Sequence, residues 1–245
     1  MPLTHYPPAY EIPYGLLAAQ GKLDGVTTLY ITGHSENITN TKSTVWPKGT
    51  LYSFLSAATT MTLSSSNNAD TTGEILIEGL DSNYDPISEI RALNGQTAVT
   101  TTNSYLRINK LTVVENGIVG NISLGTGTVT AGVPANTYGY ILAGENNSLS
   151  SVYTVPNGYT YYLTHGTIST GSVTGSQTVT GSLLARVNGI EYTTAKTVLE
   201  NSYQAYPYNP PVTILEKTDI YANAIASSST LSCSVSFNGL LIKNP

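Results

Sequence analysis

The side chains best suited to chemistry are few and lie far apart. The three histidines, His5, His34 and His165, occupy separate segments without the short spacing of a metal site. The segment Gly33-His34-Ser35-Glu36-Asn37 has the first glycine and the serine of a nucleophile elbow. Asn37 replaces the second glycine, however, and no α/β pattern surrounds the segment. We therefore predict neither a metal centre nor a serine hydrolase here.

One acidic segment begins like a calcium-binding loop. Asp81-Ser82-Asn83-Tyr84-Asp85 places oxygen-bearing side chains at alternate positions. Pro86 then stands where such a loop needs glycine, and Ala92 stands where it needs a bidentate glutamate. We predict a turn in which the Asp and Asn side chains cap the backbone.

The single cysteine, Cys233, lies in the apparent strand Leu231–Phe237. It cannot form an intrachain disulfide, and a buried structural thiol is the expected role. With no cluster of titratable side chains elsewhere, the sequence predicts no catalytic residues, no metal and no cofactor.

Two tyrosine clusters are the remaining candidates for binding. A tyrosine ring can stack on a sugar and its hydroxyl can bond the sugar's polar edge, but tyrosines also line core edges and subunit interfaces. Glycan binding and packing therefore both remain open for the two clusters, which are Tyr159, Tyr161 and Tyr162, and Tyr203, Tyr206 and Tyr208.

The composition narrows the class of protein. Charged residues make up 10% of the 245 residues, against roughly 25% in ordinary globular domains. With a net charge of −5 and scattered lysines and arginines, the chain has no basic footprint for nucleic acid or a membrane surface. No secretory signal and no membrane span are predicted. The abundance of Thr, Ser, Gly and Tyr favours β-sheets over helices.

The hydrophobic pattern predicts an all-β fold. Glu74–Glu78 and Tyr105–Asn109 alternate apolar and polar residues, as half-buried strands do. Five Asn-Gly pairs, the strongest short hairpin signal, favour antiparallel pairing; they begin at Asn94, Asn116, Asn157, Asn188 and Asn238. We predict an extended arm over residues 1–25 and two antiparallel, jelly-roll-like β-sandwich domains over residues 26–145 and 146–245.

The arm is rich in proline and apolar side chains. Prolines recur between Pro2 and Pro13 and bias the chain to extended conformations. The segment either packs on its own domain or contacts a neighbouring subunit, and its candidate contact residues are Tyr6, Tyr10, Ile12, Tyr14, Leu16 and Leu17.

Several stretches of the sequence resemble virion structural proteins of tailed bacteriophages. In the first half they are residues 69–84, 93–99 and 103–107. In the second half, residues 153–160, 215–221 and 234–242 resemble jelly-roll domains of phage particles. The resemblance extends over about residues 25–245, and it carries over no catalytic residues.

The resemblance implies a non-enzymatic structural protein of the virion. We expect a capsid cement or decoration protein that binds the major capsid protein and stabilises the assembled head. Such a protein is synthesised in the host cytoplasm and located on the capsid surface, as a homo-oligomer with a trimer favoured over a dimer. The alternatives are a tail-associated spike, fibre head or adaptor that binds a host glycan, and an enzyme acting on a surface polysaccharide. An enzyme of that kind needs paired carboxylates in a cleft, whereas most acids here stand alone.

Overall fold

The structure, a computed structural model, describes residues 13–115, 118–171, 177–200, 203–228 and 230–245. Over these residues the chain forms one short helix, α1 (Tyr14–Ala19), and strands that account for most of the remainder. The strands are β1 (Val26–Ile38), β2 (Ser43–Thr44), β3 (Thr62–Ser65), β4 (Glu74–Leu80), β5 (Pro86–Ala92), β6 (Val99–Thr100), β7 (Arg107–Glu115), β8 (Ile122–Thr130), β9 (Val133–Ile141), β10 (Val152–Thr154), β11 (Tyr159–Thr170), β12 (Val179–Val187), β13 (Ile190–Leu199), β14 (Tyr203–Ile214), β15 (Asp219–Ala226) and β16 (Leu231–Lys243).

The strands form four antiparallel sheets. Sheet I has the order β1-β16-β11-β14, and sheet II has the order β10-β15-β12-β13, with β2 also paired to β15. Sheet III has the order β6-β3-β8-β9, and sheet IV has the order β5-β4-β7. The predicted all-β, antiparallel class is confirmed. The assignment of these sheets to jelly-roll sandwiches stays a prediction.

The sheets share their cores in pairs. One core cluster joins Ile168 and Val235 of sheet I to Val179 and Ala222 of sheet II. A separate cluster joins the facing residues of sheets III and IV, among them Leu63, Leu124, Ile77 and Leu111. Sheets I and II therefore pack against each other, as do sheets III and IV, because each sheet buries one apolar face.

The grouping of the strands along the chain differs from the expected division near residue 145. Strand β1 pairs with β16, and β2 pairs with β15, so residues 26–44 share their sheets with the C-terminal part of the chain. Sheets III and IV are then formed by residues between Val45 and Ser151, whose backbones meet where Ser151 N–H donates to the Val45 carbonyl at 3.1 Å. The partner of an edge strand is a long-range choice that local periodicity does not encode.

The prediction of an extended N-terminal arm is wrong for part of the segment. Residues Tyr14–Ala19 form α1, which begins directly after Pro13. Proline suits the start of a helix, and the following Leu16, Leu17, Ala18 and Ala19 are good helix formers. Ala18 is buried, whereas Tyr14 and Leu16 are exposed and Leu17 is half-buried. The candidate contacts Tyr6, Tyr10 and Ile12 lie outside the described residues.

The Asn-Gly pairs were expected to mark hairpin turns, and this prediction is confirmed at Asn188 and wrong at Asn238. Asn188 and Gly189 have φ angles of +50° and +82° and form the tight turn between β12 and β13. Asn238 and Gly239 instead lie within β16. A Cβ at Gly239 would lie 2.0 Å from the Tyr162 carbonyl oxygen, so this glycine allows a close approach of two strands. The pair at Asn116 lies outside the described residues.

No helix among the described residues is long and apolar enough to cross a membrane.

Candidate interaction site

A buried ion pair joins the two pairs of sheets. Arg107 opens β7 of sheet IV, and Asp219 opens β15 of sheet II. The Arg107 guanidinium donates from Nε to Asp219 Oδ1 at 2.7 Å and from Nη2 to Oδ2 at 3.1 Å. The two side chains are only 7% and 4% exposed. This two-point geometry fixes both distance and orientation between the strands.

The Asp219 carboxylate has further partners that satisfy it in its buried position. Thr154 donates its hydroxyl to Oδ1 at 2.7 Å, and the Arg186 Nη1 lies 3.4 Å from Oδ2. The Phe54 ring lies between the guanidiniums, 5.1 Å from Cζ of Arg107 and 4.9 Å from Cζ of Arg186. Cation–π contact and hydrogen bonding together offset the cost of removing these charges from water.

An aromatic cluster surrounds this ion pair. Trp46, Tyr52 and Phe54 lie on the segment after β2 and pack edge to face, with neighbouring ring centroids 5.2 and 5.1 Å apart. Tyr52 donates its hydroxyl to the Tyr138 carbonyl at 3.1 Å. Burial raises the pKa of Tyr52 well above its usual range, although Arg107 opposes the shift. The junction is therefore a packed core in its own right, and its rings contact both Tyr138 of sheet III and Tyr221 of sheet II.

A second polar cluster lies on the same sheet near the β12–β13 hairpin. The Tyr221 hydroxyl donates to Glu191, and Lys42 Nζ donates to the other carboxylate oxygen at 3.2 Å. The Tyr221 hydrogen bond lowers the pKa of Glu191, with a further contribution from Lys42. Glu191 thereby anchors an otherwise exposed strand to its neighbours.

Strand β13 is the most exposed long strand of sheet II. It forms one edge of the sheet and pairs with β12 alone. Three of its large apolar side chains are more than half exposed: Ile190 at 59%, Tyr192 at 53% and Val198 at 59%. Ile190 and Tyr192 lie on one face of the sheet, whereas the register shift at Thr194 places Val198 on the other. Exposed apolar side chains that share a face of an edge strand are typical of surfaces that contact another protein.

An apolar cleft lies beside this edge, between sheets I and II. Its volume is about 50 Å³, and its lining includes Ile168, Leu183, Tyr206, Tyr208, Val235 and Phe237. Gly181 makes room for it, because a Cβ there would lie 2.1 Å from Ile168 Cδ1. The cleft has the size of a site for a side chain of a partner and is small for an organic ligand.

The two predicted tyrosine clusters do not form one surface. Their strands, β11 and β14, are paired, but Tyr161 lies opposite Ile214 and Tyr206 lies opposite Gly166. Tyr161 is fully buried, Tyr159 and Tyr162 are half-buried, and burial raises the pKa of Tyr161 above its usual range. Tyr206 and Tyr208 line the cleft, whereas Tyr203 is exposed. Only Tyr203 among the six presents most of its side chain to solvent.

A hydrogen-bonded chain that sequence spacing did not reveal involves His34. Its Nδ1 lies 2.7 Å from the Ser234 hydroxyl, and its Nε2 lies 2.7 Å from Glu36 Oε1. Since a carboxylate only accepts, Nε2 donates, and in the neutral ring Nδ1 accepts from Ser234. Ser234 lies on β16, whose backbone pairs with strands on both sides. A catalytic serine needs free backbone N–H groups nearby as oxyanion donors, and the backbone amides around Ser234 are already paired. We therefore interpret Ser234, His34 and Glu36 as a structural hydrogen-bonded row. Ser234 and His34 are 200 positions apart in the sequence, so no local motif could predict their contact.

The structure also shows the predicted Asp81 turn, the single cysteine and the remaining described histidine. Asp81 Oδ1 accepts hydrogen bonds from the N–H groups of Asn83 and Asp85, so the predicted capped turn is confirmed. Cys233 is buried as predicted, and burial raises the pKa of its thiol to about 12. His165 lies on β11, and His5 is outside the described residues. In the part of the chain that the structure describes, no three His, Cys, Asp or Glu side chains come together as a metal site.

Comparisons with known proteins identify no family. No protein-family model matches the chain, and no curated protein matches its sequence. Among solved structures, the chain is similar to the VP2 subviral particle of infectious bursal disease virus. The identity is 12% over 90% of this chain and 72% of that chain, with a TM-score of 0.25. Similarity this low establishes neither a shared detailed fold nor a shared function.

Proposed function

We propose that the protein is a non-enzymatic structural component of a phage particle, and specifically a cement protein that stabilises the assembled head. The observation that carries the proposal is the β13 edge, where Ile190 and Tyr192 are exposed on the same face of sheet II as an apolar cleft. A surface of this kind buries apolar area when a neighbouring subunit covers it, and burial contributes about 25 cal/mol per Å².

The rigid junction supports the same role. A cement protein acts by binding the assembled shell better than its separated parts, so its own shape must persist while the shell is under stress. The Arg107–Asp219 pair and the aromatic cluster at Phe54 fix the sheets relative to one another.

The partners we propose are the major capsid protein and further copies of this chain, with a trimer favoured. Residues 1–12, with Tyr6, Tyr10 and Ile12, are proposed to contact a neighbouring subunit together with Tyr14, Leu16 and Leu17 of the helical segment. Their prolines restrict the free chain and so reduce the entropy that docking removes.

The test compares phage particles with and without the protein. Particles that lack it should still adsorb to cells but lose infectivity sooner on heating or osmotic shock. Adding back the wild-type protein should restore resistance, whereas the Ile190→Ser, Tyr192→Ser double variant should restore it poorly. Leu51→Ser is the matched control, since Leu51 is 55% exposed and is not part of β13. Depleted particles that are equally robust but fail to attach would overturn the cement role in favour of a tail protein.

A further inference from the structure

The outer face of sheet I differs in chemistry from the β13 edge. Strand alternation directs Ile31, Ile168 and Val235 into the core, so the positions between them face outward. In the middle of the sheet, these outward positions carry Thr32, His34, Ser234, Ser236, Thr167 and Ser169, which we call the hydroxyl face.

The strand register arranges these side chains in rows. Thr32 lies opposite Ser236, which lies opposite Thr167. One pair of positions further along the strands, His34 lies opposite Ser234, which lies opposite Ser169. Neighbouring groups in a row are about 5 Å apart across the strands. The spacing is regular because β16 and β11 are the central strands of the sheet.

Hydrogen bonds hold the polar atoms of this face in place. The Thr167 and Ser236 hydroxyls lie 2.6 Å apart, and His34 joins Ser234 to Glu36 through two 2.7 Å contacts. Asn238, the next outward residue on β16, has a buried Oδ1 with no hydrogen-bond partner among the described residues. The face therefore presents pre-oriented hydroxyls, and the unpaired Asn238 Oδ1 lies beneath the surface beside them.

Exposed tyrosines flank the hydroxyl face on both sides. Tyr30 lies on the edge strand β1 and is 67% exposed, and Tyr203 lies on the opposite edge strand β14 and is 62% exposed. Tyr203 is in register with Ser169, at the end of the row that contains His34. Three strand spacings, about 14 Å, separate the two edges.

We propose that this face binds carbohydrate, with Tyr30 and Tyr203 as stacking platforms and the hydroxyl face as the hydrogen-bonding floor. A neutral, many-hydroxyl ligand fits because its donors and acceptors match Ser, Thr, His and Asn side chains. Neither the hydroxyl face nor the two tyrosines carry the cationic side chains that nucleic-acid binding requires. Their outward positions also lack the aliphatic side chains that form the centre of a protein interface.

The proposal does not depend on the cement role, because the two surfaces use different residues. Tyr192 of the β13 edge is therefore the matched control for Tyr30 and Tyr203, with the same residue type and comparable exposure. The same set of variants tests both surfaces separately.

The experiment measures binding of the purified full chain to a printed array of defined oligosaccharides, followed by titration with the best binder. We expect Tyr30→Ala and Tyr203→Ala each to weaken that binding by about tenfold or more, and Tyr192→Ala to leave it unchanged. Ser234→Ala should also weaken it, because the row then loses the hydroxyl that is hydrogen-bonded to His34. Circular dichroism of each variant should match that of the wild type.

Failure to bind any arrayed oligosaccharide would overturn the proposal. So would binding that Tyr192→Ala weakens as much as Tyr30→Ala and Tyr203→Ala do. If Tyr30→Ala and Tyr203→Ala instead reduced binding to phage particles, the hydroxyl face would be a protein contact. Loss of particle binding by the β13 variants alone would leave the glycan assignment unaffected.

Discussion

Arg107 and Asp219 are 112 positions apart in the chain, yet they form a buried two-point ion pair across the junction of two sheets. Both charges are removed from water, and each is the strongest partner of the other, although Thr154 and Arg186 also contact Asp219 and two carbonyl oxygens accept from Arg107. The pair therefore favours the arrangement of the two halves that brings these groups into contact, because losing that contact leaves a buried charge without its main partner.

Replacing Arg107 tests how much the ion pair contributes to the free energy of unfolding. Arg107→Met leaves the Asp219 carboxylate buried with Thr154 and the more distant Arg186, and it should lower the free energy of unfolding by about 3–5 kcal/mol. Urea denaturation followed by intrinsic fluorescence measures the change. Lys42→Met, which removes an exposed pair with Glu191, should cost under about 1 kcal/mol. Equal losses in the two variants would contradict the prediction.

The carboxylate of Asp70 should make stability sensitive to acid. Burial acts to raise the pKa of Asp70, but hydrogen bonds from Ser65 and from the N–H groups of Val119 and Gly120 outweigh it and lower the pKa. Because the pKa of Asp70 is lower in the folded state, its carboxylate stabilises the protein at pH values above the unfolded pKa of about 3.9. This stabilisation is lost as the pH falls through the folded-state pKa.

The matching variant is Asp70→Asn, which should lose about 2–3 kcal/mol near neutral pH. Its deficit relative to the wild type should shrink as the pH falls below about 4, because the Asp70 carboxylate of the unfolded wild-type chain takes up a proton there before that of the folded chain does. Denaturation midpoints across pH 3–7 test this, with the exposed Asp24→Asn as control. A deficit that stays constant with pH would show that the charge of Asp70 is not the source.

The two glycine substitutions Gly239→Ala and Gly15→Ala should have opposite outcomes. At Gly239 a methyl group would meet the Tyr162 carbonyl oxygen, a backbone atom that has no room to move, whereas at Gly15 it would meet nothing within 4 Å. We expect Gly239→Ala to destabilise by about 1–3 kcal/mol or more. Gly15→Ala, within α1, should be neutral or stabilising by up to about 1 kcal/mol. Thermal denaturation would disprove the argument if both changes had the same effect.

Cys233 should be chemically silent until the fold opens. Its burial and the raised pKa of about 12 keep the thiol protonated and inaccessible near neutral pH. A disulfide reagent such as dithionitrobenzoate should release no colour from the native protein and one equivalent in denaturant. Full reaction under native conditions would place Cys233 at the surface.

Truncation tests the N-terminal segment. A chain that begins at Val26 should keep the β-sheet circular dichroism spectrum, because the strands begin there. It should bind particles more weakly than the full chain. A second chain that begins at Pro13 keeps α1 and separates the contribution of the helix from that of residues 1–12. Unchanged binding by both chains would remove the segment from the interface.

The sequence predicted what depends on neighbouring residues and failed where distant residues decide. Alternation located β4, because Ile75 and Ile77 bury one face of a strand whose other face is half-exposed. The dipeptide Asn-Gly found the turn at Asn188, but at Asn238 the same dipeptide serves a close contact between strands. The candidate sites followed the same rule. The clustered tyrosines were visible in the sequence, whereas the rows of the hydroxyl face exist only through the register of three strands, β1, β16 and β11.

The contact between Val45 and Ser151 has a consequence for how the chain can be rebuilt. The polypeptide leaves sheets I and II at one residue and returns beside it at the other, joined by a 3.1 Å hydrogen bond. We call residues 46–150, which lie between these two positions, the cassette. Because its ends are adjacent, a short loop could join them at little cost in chain entropy. Exchange of the cassette between related chains would keep β13 and the hydroxyl face intact. The incoming segment would have to pack a side chain on Tyr221, as Phe54 does at 5.2 Å between ring centroids, and supply a cation for Asp219.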